Sequence, residues 1–179
     1  MRNFALFLLL LLPVATLAGE FQGRVVAVSD GDTITVLDAS NTQVVVRLAN
    51  IDAPETSCHQ HSEVAAEACI EVSQSFGKAS KKSLSSLVFG KSVRVVTIEG
   101  PHATSYGRAV GTVFVADLDA NLEQVRRGYA MHYATYANHQ QSPELFTAYA
   151  DAERAARAAA AGLWADKSPV PPWEFRHGR

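Results

Sequence analysis

The sequence predicts an α+β fold: a small closed five-stranded β-barrel of the OB type with three α-helices. Three observations predict it. Five short runs are β-branched or alternate apolar with polar residues, and turn residues bound them. One helical stretch separates the third run from the fourth. Two more helical stretches follow the fifth, an order that suits a barrel with its helices packed outside.

Each element has its own signal. Phe21 to Val28 and Thr33 to Leu37 alternate around Asp30-Gly31, a strong hairpin-turn pair, and Gln43 to Ala49 follows the Ala39-Ser40-Asn41 turn. These three runs predict a meander. Gly77 to Val88 places Leu84, Leu87 and Val88 on one side of a helix that Gly90 ends. Ser92 to Ile98 and Ala109 to Val115 are the fourth and fifth strands. Asn121 to Arg127 reads as a short helix stopped by Gly128. Ser142-Pro143-Glu144 opens a longer one expected to run to Gly162, with serine as N-cap and proline at the first helical position.

The ends of the chain stand apart from this domain. Met1-Arg2-Asn3 is a short basic start, Phe4 to Leu12 an apolar run, and Thr16-Leu17-Ala18 a set of small residues suited to cleavage. Residues 1–18 therefore read as a signal peptide. A membrane anchor is the alternative, but a span needs about 20 apolar residues and Pro13 ends this run early. Residues 19–168 form the expected domain, and the proline-rich 169–179 a C-terminal tail on which Trp173 or Phe175 docks back. Without Arg2, the 16 basic and 18 acidic residues leave a formal charge of −3. A basic surface field for nucleic acid is thereby excluded, so phosphate recognition has to be local.

Three short segments carry the chemistry: Ser-Asp-Gly-Asp-Thr with Asp30 and Asp32, Arg-Leu-Ala-Asn-Ile-Asp-Ala-Pro-Glu from Arg47 to Glu55, and Ser-Tyr-Gly-Arg ending at Arg108. Carboxylates are hard oxygen ligands for divalent cations, and guanidinium forks match phosphate oxygens in pairs. Asp30 alone suits a turn. Asp32 stands two residues on, sharing its face, and repelling carboxylates gain from a cation between them. Arg47 lies in a strand that is apolar on both faces, so it either snorkels to water or meets an anion at the barrel mouth. Asp52 and Glu55 are the nearby acids, spaced by the rigid Pro54. Arg108 is either a solvated strand start or part of the same site.

Taken together, Gly-Asp-Thr in the first hairpin, Arg-Leu-x-x-Ile-Asp-Ala-Pro-Glu leaving the third strand and Tyr-Gly-Arg entering the fifth resemble the staphylococcal (thermo)nuclease family. The resemblance runs from Val25 to Trp164. It implies a calcium-dependent hydrolase of DNA and RNA phosphodiesters that leaves 3′-phosphates. It makes Asp32, Asp52 and the main-chain oxygen of Ala53 calcium ligands, with Asp30 beside the metal. It gives Glu55 the attacking water, and Arg47 and Arg108 the scissile phosphate. Tyr106 and Tyr136 become substrate contacts, with Tyr133 an alternative to Tyr136 and core packing the bland reading of both. Thr104 and Ser105 depart from the acidic residue and lysine common in the family, which removes one expected phosphate contact.

The segment 57–74 holds both cysteines. An exported chain favours a Cys58–Cys69 disulfide, whereas Cys58, His59, His61 and Cys69 are also zinc-ligand types. Arg126, Arg127, Arg154 and Arg157 read as solvated helix faces. The expectation is a secreted or periplasmic nuclease, monomeric and without stable membrane association after processing. The competing class is a catalytically silent barrel that binds nucleic acid or a protein partner.

Overall fold

Strands β1 (Glu20–Val28), β2 (Thr33–Asp38) and β3 (Gln43–Leu48) form the expected antiparallel meander, with Val28 opposite Ile34 and Thr33 opposite Arg47. The computed structural model describes residues 19–56, 73–98, 104–105 and 107–177, with backbone alone at Thr104 and Ser105. The leader 1–18, Cys58, His59, His61, Cys69 and Tyr106 lie outside the described residues.

The remaining strands are β4 (Ile51–Asp52), β5 (Ser92–Thr97), β6 (Thr104–Ser105), β7 (Arg108–Val115), β8 (Leu118–Asp119) and β9 (Met131–His132). The main sheet runs β3-β2-β1-β5-β7, and a parallel pairing of β3 with β7 closes it, Val46 facing Ala109 and Arg47 facing Val110. This is the five-stranded mixed barrel of the OB type. Val25, Ile34, Val36, Val46, Val95 and Val113 fill its interior with no exposed surface. Each such side chain contributes roughly 1.5–3 kcal/mol through burial. A bulge between Val25 and Ala27 bends β1, as closure of so small a barrel requires.

Among the described residues five helical segments surround the barrel: α1 (Gly77–Val88), α2 (Ala120–Arg126), α3 (Ala134–Ala137), α4 (Pro143–Ala158) and α5 (Pro172–Phe175), with a 3₁₀ turn at Gly162–Ala165. Three are the expected helices, while α3 and α5 are single turns too short for a periodic signal. Helix α1 buries Leu84, Leu87 and Val88 as its pattern predicts. Asp119 caps α2 through the Leu122 N–H and also accepts from the hydroxyl of the fully buried Tyr149 of α4.

Helix α4 ends at Ala158, four residues before the expected Gly162. Gly162 serves a tertiary contact instead. With φ of 54° it packs so close to Gly128 that an added Cβ would lie 2.2 Å from the Gly128 oxygen. The chain leaves the helix early in order to make that contact, and the Leu163 N–H donates to Gly128 O at 2.8 Å. Arg126 and Arg127 pair with Glu123, and Arg154 and Arg157 with Asp151 and Glu153, as solvated i,i+3 and i,i+4 pairs. No helix among the described residues is long and apolar enough to cross a membrane.

Candidate active site

The first acids come from the β1–β2 hairpin. Asp30 accepts from the Asp32 N–H at 3.1 Å, closing its own turn as the Asp-Gly pair predicts. That turn delivers Asp32 to the base of β2, where it is 1% exposed. Gln124 of α2 fixes the turn from behind, its Nε2 donating to Gly31 O at 2.9 Å and its Oε1 accepting from Ser83 at 2.6 Å.

The second group comes from the chain leaving β3. Asn50 takes a left-handed conformation, φ 65°, which asparagine tolerates better than most residues. The chain reverses there, and β4 pairs with β9, Asp52 opposite Met131. Asp52 thereby arrives wholly buried beside Arg47. The Arg47 guanidinium reaches Asp32 Oδ1 with Nη1 and Asp52 Oδ1 with Nη2, the latter at 2.5 Å. Of the two readings of Arg47, the structure takes the anion at the barrel mouth. The Ala53 N–H donates to Asp32 Oδ2 at 2.8 Å, so the first hairpin and both ends of the Arg47–Ala53 stretch meet at Asp32.

Glu55 is 5% exposed. Its main chain is clamped by Gln74, whose N–H donates to Glu55 O at 3.0 Å while its Oε1 accepts from the Glu55 N–H at 3.3 Å. Gly77 at the start of α1 lies against the same carbonyl, leaving no space for a Cβ.

A further cation enters from the far end of the chain. Arg176 follows α5 and donates through Nη1 to Asp52 Oδ1 at 3.0 Å and Glu55 Oε1 at 2.6 Å, and through Nη2 to Asp52 Oδ2 at 2.6 Å. Trp173 of the same turn stacks on Tyr133, centroids 4.9 Å apart and planes 2° from parallel. Phe175 lines a cavity of about 110 Å³ with Pro54, Gln74 and Phe76. The tail therefore docks as expected, but Arg176 lay outside every sequence signal.

The charges hold one another. Burial pushes the Asp32 carboxyl well above the usual carboxylate range; Arg47 opposes the rise, and Asp30 and Asp52 add to it. Burial works against the charge of Arg47, but Asp32, Asp52 and Asp30 outweigh it, so the guanidinium holds its proton more firmly than a free arginine. Arg176 is held likewise against burial by Asp52 and Glu55.

Arg108 stands two residues before Val110, the partner of Arg47, and so projects from the same barrel face. It has no ion pair among the described residues. Tyr136 is 57% exposed with its ring 4.7 Å from that of Tyr133. Burial raises the Tyr133 hydroxyl pKa, with Tyr136 and Asp52 adding to the rise and Arg176 and Arg47 opposing it.

The donor set fits a divalent cation of the calcium type. Asp32 and Asp52 already flank one shared cationic group, the Arg47 guanidinium, and their carboxylate oxygens are hard ligands. Among the described residues no three His, Cys, Asp or Glu side chains form a ready-made metal cluster. Two carboxylates and a carbonyl would leave much of a calcium shell to water and substrate.

Buried acids gathered around arginines at the mouth of an OB-type barrel define a site for handling phosphate esters. Residues 45–166 match the family described as staphylococcal nuclease homologue. The chain is 36% identical over 178 residues to an uncharacterized endonuclease of Escherichia coli O157:H7, covering 99% of each. It is 37% identical over 153 residues to an uncharacterized endonuclease of Haemophilus influenzae, covering 86% of this chain and 71% of that one. A micrococcal nuclease of Shigella flexneri is 33% identical over 167 residues, covering 88% and 81%. The chain belongs to the staphylococcal nuclease family, and it is a nuclease, a phosphodiester hydrolase with nucleic acid as substrate.

Proposed function

We propose that this protein is an exported, calcium-dependent, sugar-nonspecific nuclease that cleaves DNA and RNA to 3′-phosphate products. The observation that carries the reading is the sharing of the Arg47 guanidinium by Asp32 and Asp52, with Glu55 joined to Asp52 through Arg176. Asp32, Asp52 and the Ala53 carbonyl would hold the calcium ion. When bound, the ion supplies positive charge to a phosphoryl oxygen and lowers the cost of in-line attack.

The chain's own groups do the rest. Glu55 takes the proton of the attacking water at a carboxylate oxygen, and its burial keeps the carboxylate poorly hydrated and fixed by neighbours. Arg47 and Arg108, on one face of β3 and β7, grip the non-bridging oxygens, on which charge grows as the pentacoordinate state forms. Tyr106 and Tyr136 bind the nucleotide, and the exposure of Tyr136 leaves its ring open for stacking. Export with removal of residues 1–18 delivers a monomer to the periplasm or medium, without stable membrane association.

Purified mature protein assayed on DNA and RNA, with calcium and with chelator, tests the reading. Both substrates should be cut in calcium alone, and end-group analysis should find 3′-phosphates. Single-turnover rates should fall about 10²–10³-fold in Arg47→Ala and Arg108→Ala, and about 10²–10⁴-fold in Glu55→Gln, with the fold retained. Full activity in chelator would refute the cation ligands, and unchanged cleavage in Glu55→Gln would remove Glu55 from the reaction. A silent barrel would lose nucleic-acid affinity in the arginine variants and show no cleavage to lose. N-terminal sequencing of exported protein should begin at Gly19.

A further inference from the structure

We infer that Arg176 is a positioning residue of the active site: from the end of α5 it fixes the carboxylates of Glu55 and Asp52, so the segment 169–177 is a working part of the nuclease. The inference rests on the reading of Glu55 as the base.

The geometry carries it. One guanidinium meets both oxygens of Asp52 and Oε1 of Glu55, across 124 and 121 residues of sequence. The Arg176 side chain is 17% exposed, and those of the two acids are 0% and 7%. Glu55 lies in a segment that is neither helix nor strand, its main chain held by Gln74. A planar fork joined to two carboxylates at once constrains both side chains, a geometry a flexible ammonium meets less well.

Two separate contacts hold the tail where Arg176 needs it, and both lie next to the same acids. Gln74 Nε2 donates to Val170 O at 2.6 Å, and the same Gln74 clamps the Glu55 main chain. Trp173 stacks on Tyr133, whose N–H donates to Asn50 O two residues before Asp52. Pro172 is buried at the start of α5. A tail docked merely for stability would not need to carry a guanidinium aimed at the base.

A base displaced by about 1 Å can lose about 10²-fold in rate while substrate binding persists. Arg176→Ala and a chain ending at Ser168 should therefore lower kcat by about 10–10²-fold, with KM and the Kd for a single-stranded oligonucleotide changed less than about threefold. Arg176→Lys should recover part of the loss. In protein carrying ¹³C-labelled glutamate, the Glu55 methylene signal, assigned by its absence in Glu55→Gln, should show larger fast motion in Arg176→Ala than in wild type. Arg176→Gln replaces alanine in every arm if alanine does not fold.

Several results would overturn the inference. Unchanged Glu55 motion or unchanged kcat would leave Arg176 a packing residue. A tenfold rise in Kd with a shallower salt dependence would make it a phosphate contact. Faster cleavage at lower calcium would make it a plug competing with the cation. Failure of wild type to cut nucleic acid would instead refute the nuclease reading, while the relaxation measurement would still decide whether Arg176 holds Glu55.

Discussion

Gln124→Met tests how the hairpin acids are held. Methionine keeps the length of the side chain and removes its polar atoms, so the wholly buried position stays filled while three hydrogen bonds vanish: to Gly31 O, to Ser80 O and from Ser83 Oγ. The Ser80 bond is long at 3.3 Å and contributes little. Losing the other two at about 0.5–1.5 kcal/mol each, with the buried Gly31 carbonyl left bare, gives about 2–4 kcal/mol of destabilisation. In a chain of this size that lowers Tm by about 6–12 °C. Urea unfolding followed by far-UV circular dichroism should show a lower midpoint at constant slope. A double-mutant cycle with Ser83→Ala should return a coupling of about 1 kcal/mol. Because Gly31 sits between Asp30 and Asp32, cleavage should fall by about tenfold or more under conditions where the variant is fully folded. A stability loss below about 0.5 kcal/mol at unchanged slope would refute the clamp, since it would mean that Gly31 and Ser83 find other partners at no cost.

Gly77→Ala would place a Cβ 2.1 Å from Glu55 O, so the Glu55 backbone must shift; a loss of about 1–3 kcal/mol with a larger loss of kcat is expected, and normal kcat would show the loop to be compliant. Burial lowers the pKa of His132, with Gln141 and Glu153 opposing, so folding favours the neutral ring. Its contribution to stability is full above about pH 6.5 and is lost as pH falls through the folded value. Thermal melts from pH 7 to 5 should accordingly decline less steeply in His132→Gln than in wild type. Cys58 and Cys69 should be joined in exported protein, adding at most about 3 kcal/mol for so short a loop; non-reducing peptide mapping that finds two free thiols would end that proposal.

Local pattern determined much of this protein. Alternation and turn residues placed β1, β2, β3, β5 and β7 within a residue or two, and the apolar spacing of Leu84, Leu87 and Val88 placed α1 at its observed bounds. These signals are legible because each residue's facing depends on neighbours two to four positions away. The hairpin at Asp30-Gly31 and the candidate acids and arginines were legible for a similar reason, since their segments are short and their chemistry is distinctive.

Tertiary structure decided what those residues touch. Nothing near Arg47 in sequence chooses Asp32 over solvent; the β2–β3 pairing sets the two side by side, and the packed barrel mouth buries both charges until only pairing is tolerable. The early end of α4 follows from the approach of Gly162 to Gly128, a contact between segments 34 residues apart that helix propensity does not encode. Arg176 is the clearest case. In the sequence it is one arginine in a short proline-rich tail, and it becomes part of the site because Gln74, Tyr133 and a buried pair of acids fix where that tail lies. Buried charges select their partners through the whole packed chain, and that selection has no local signature.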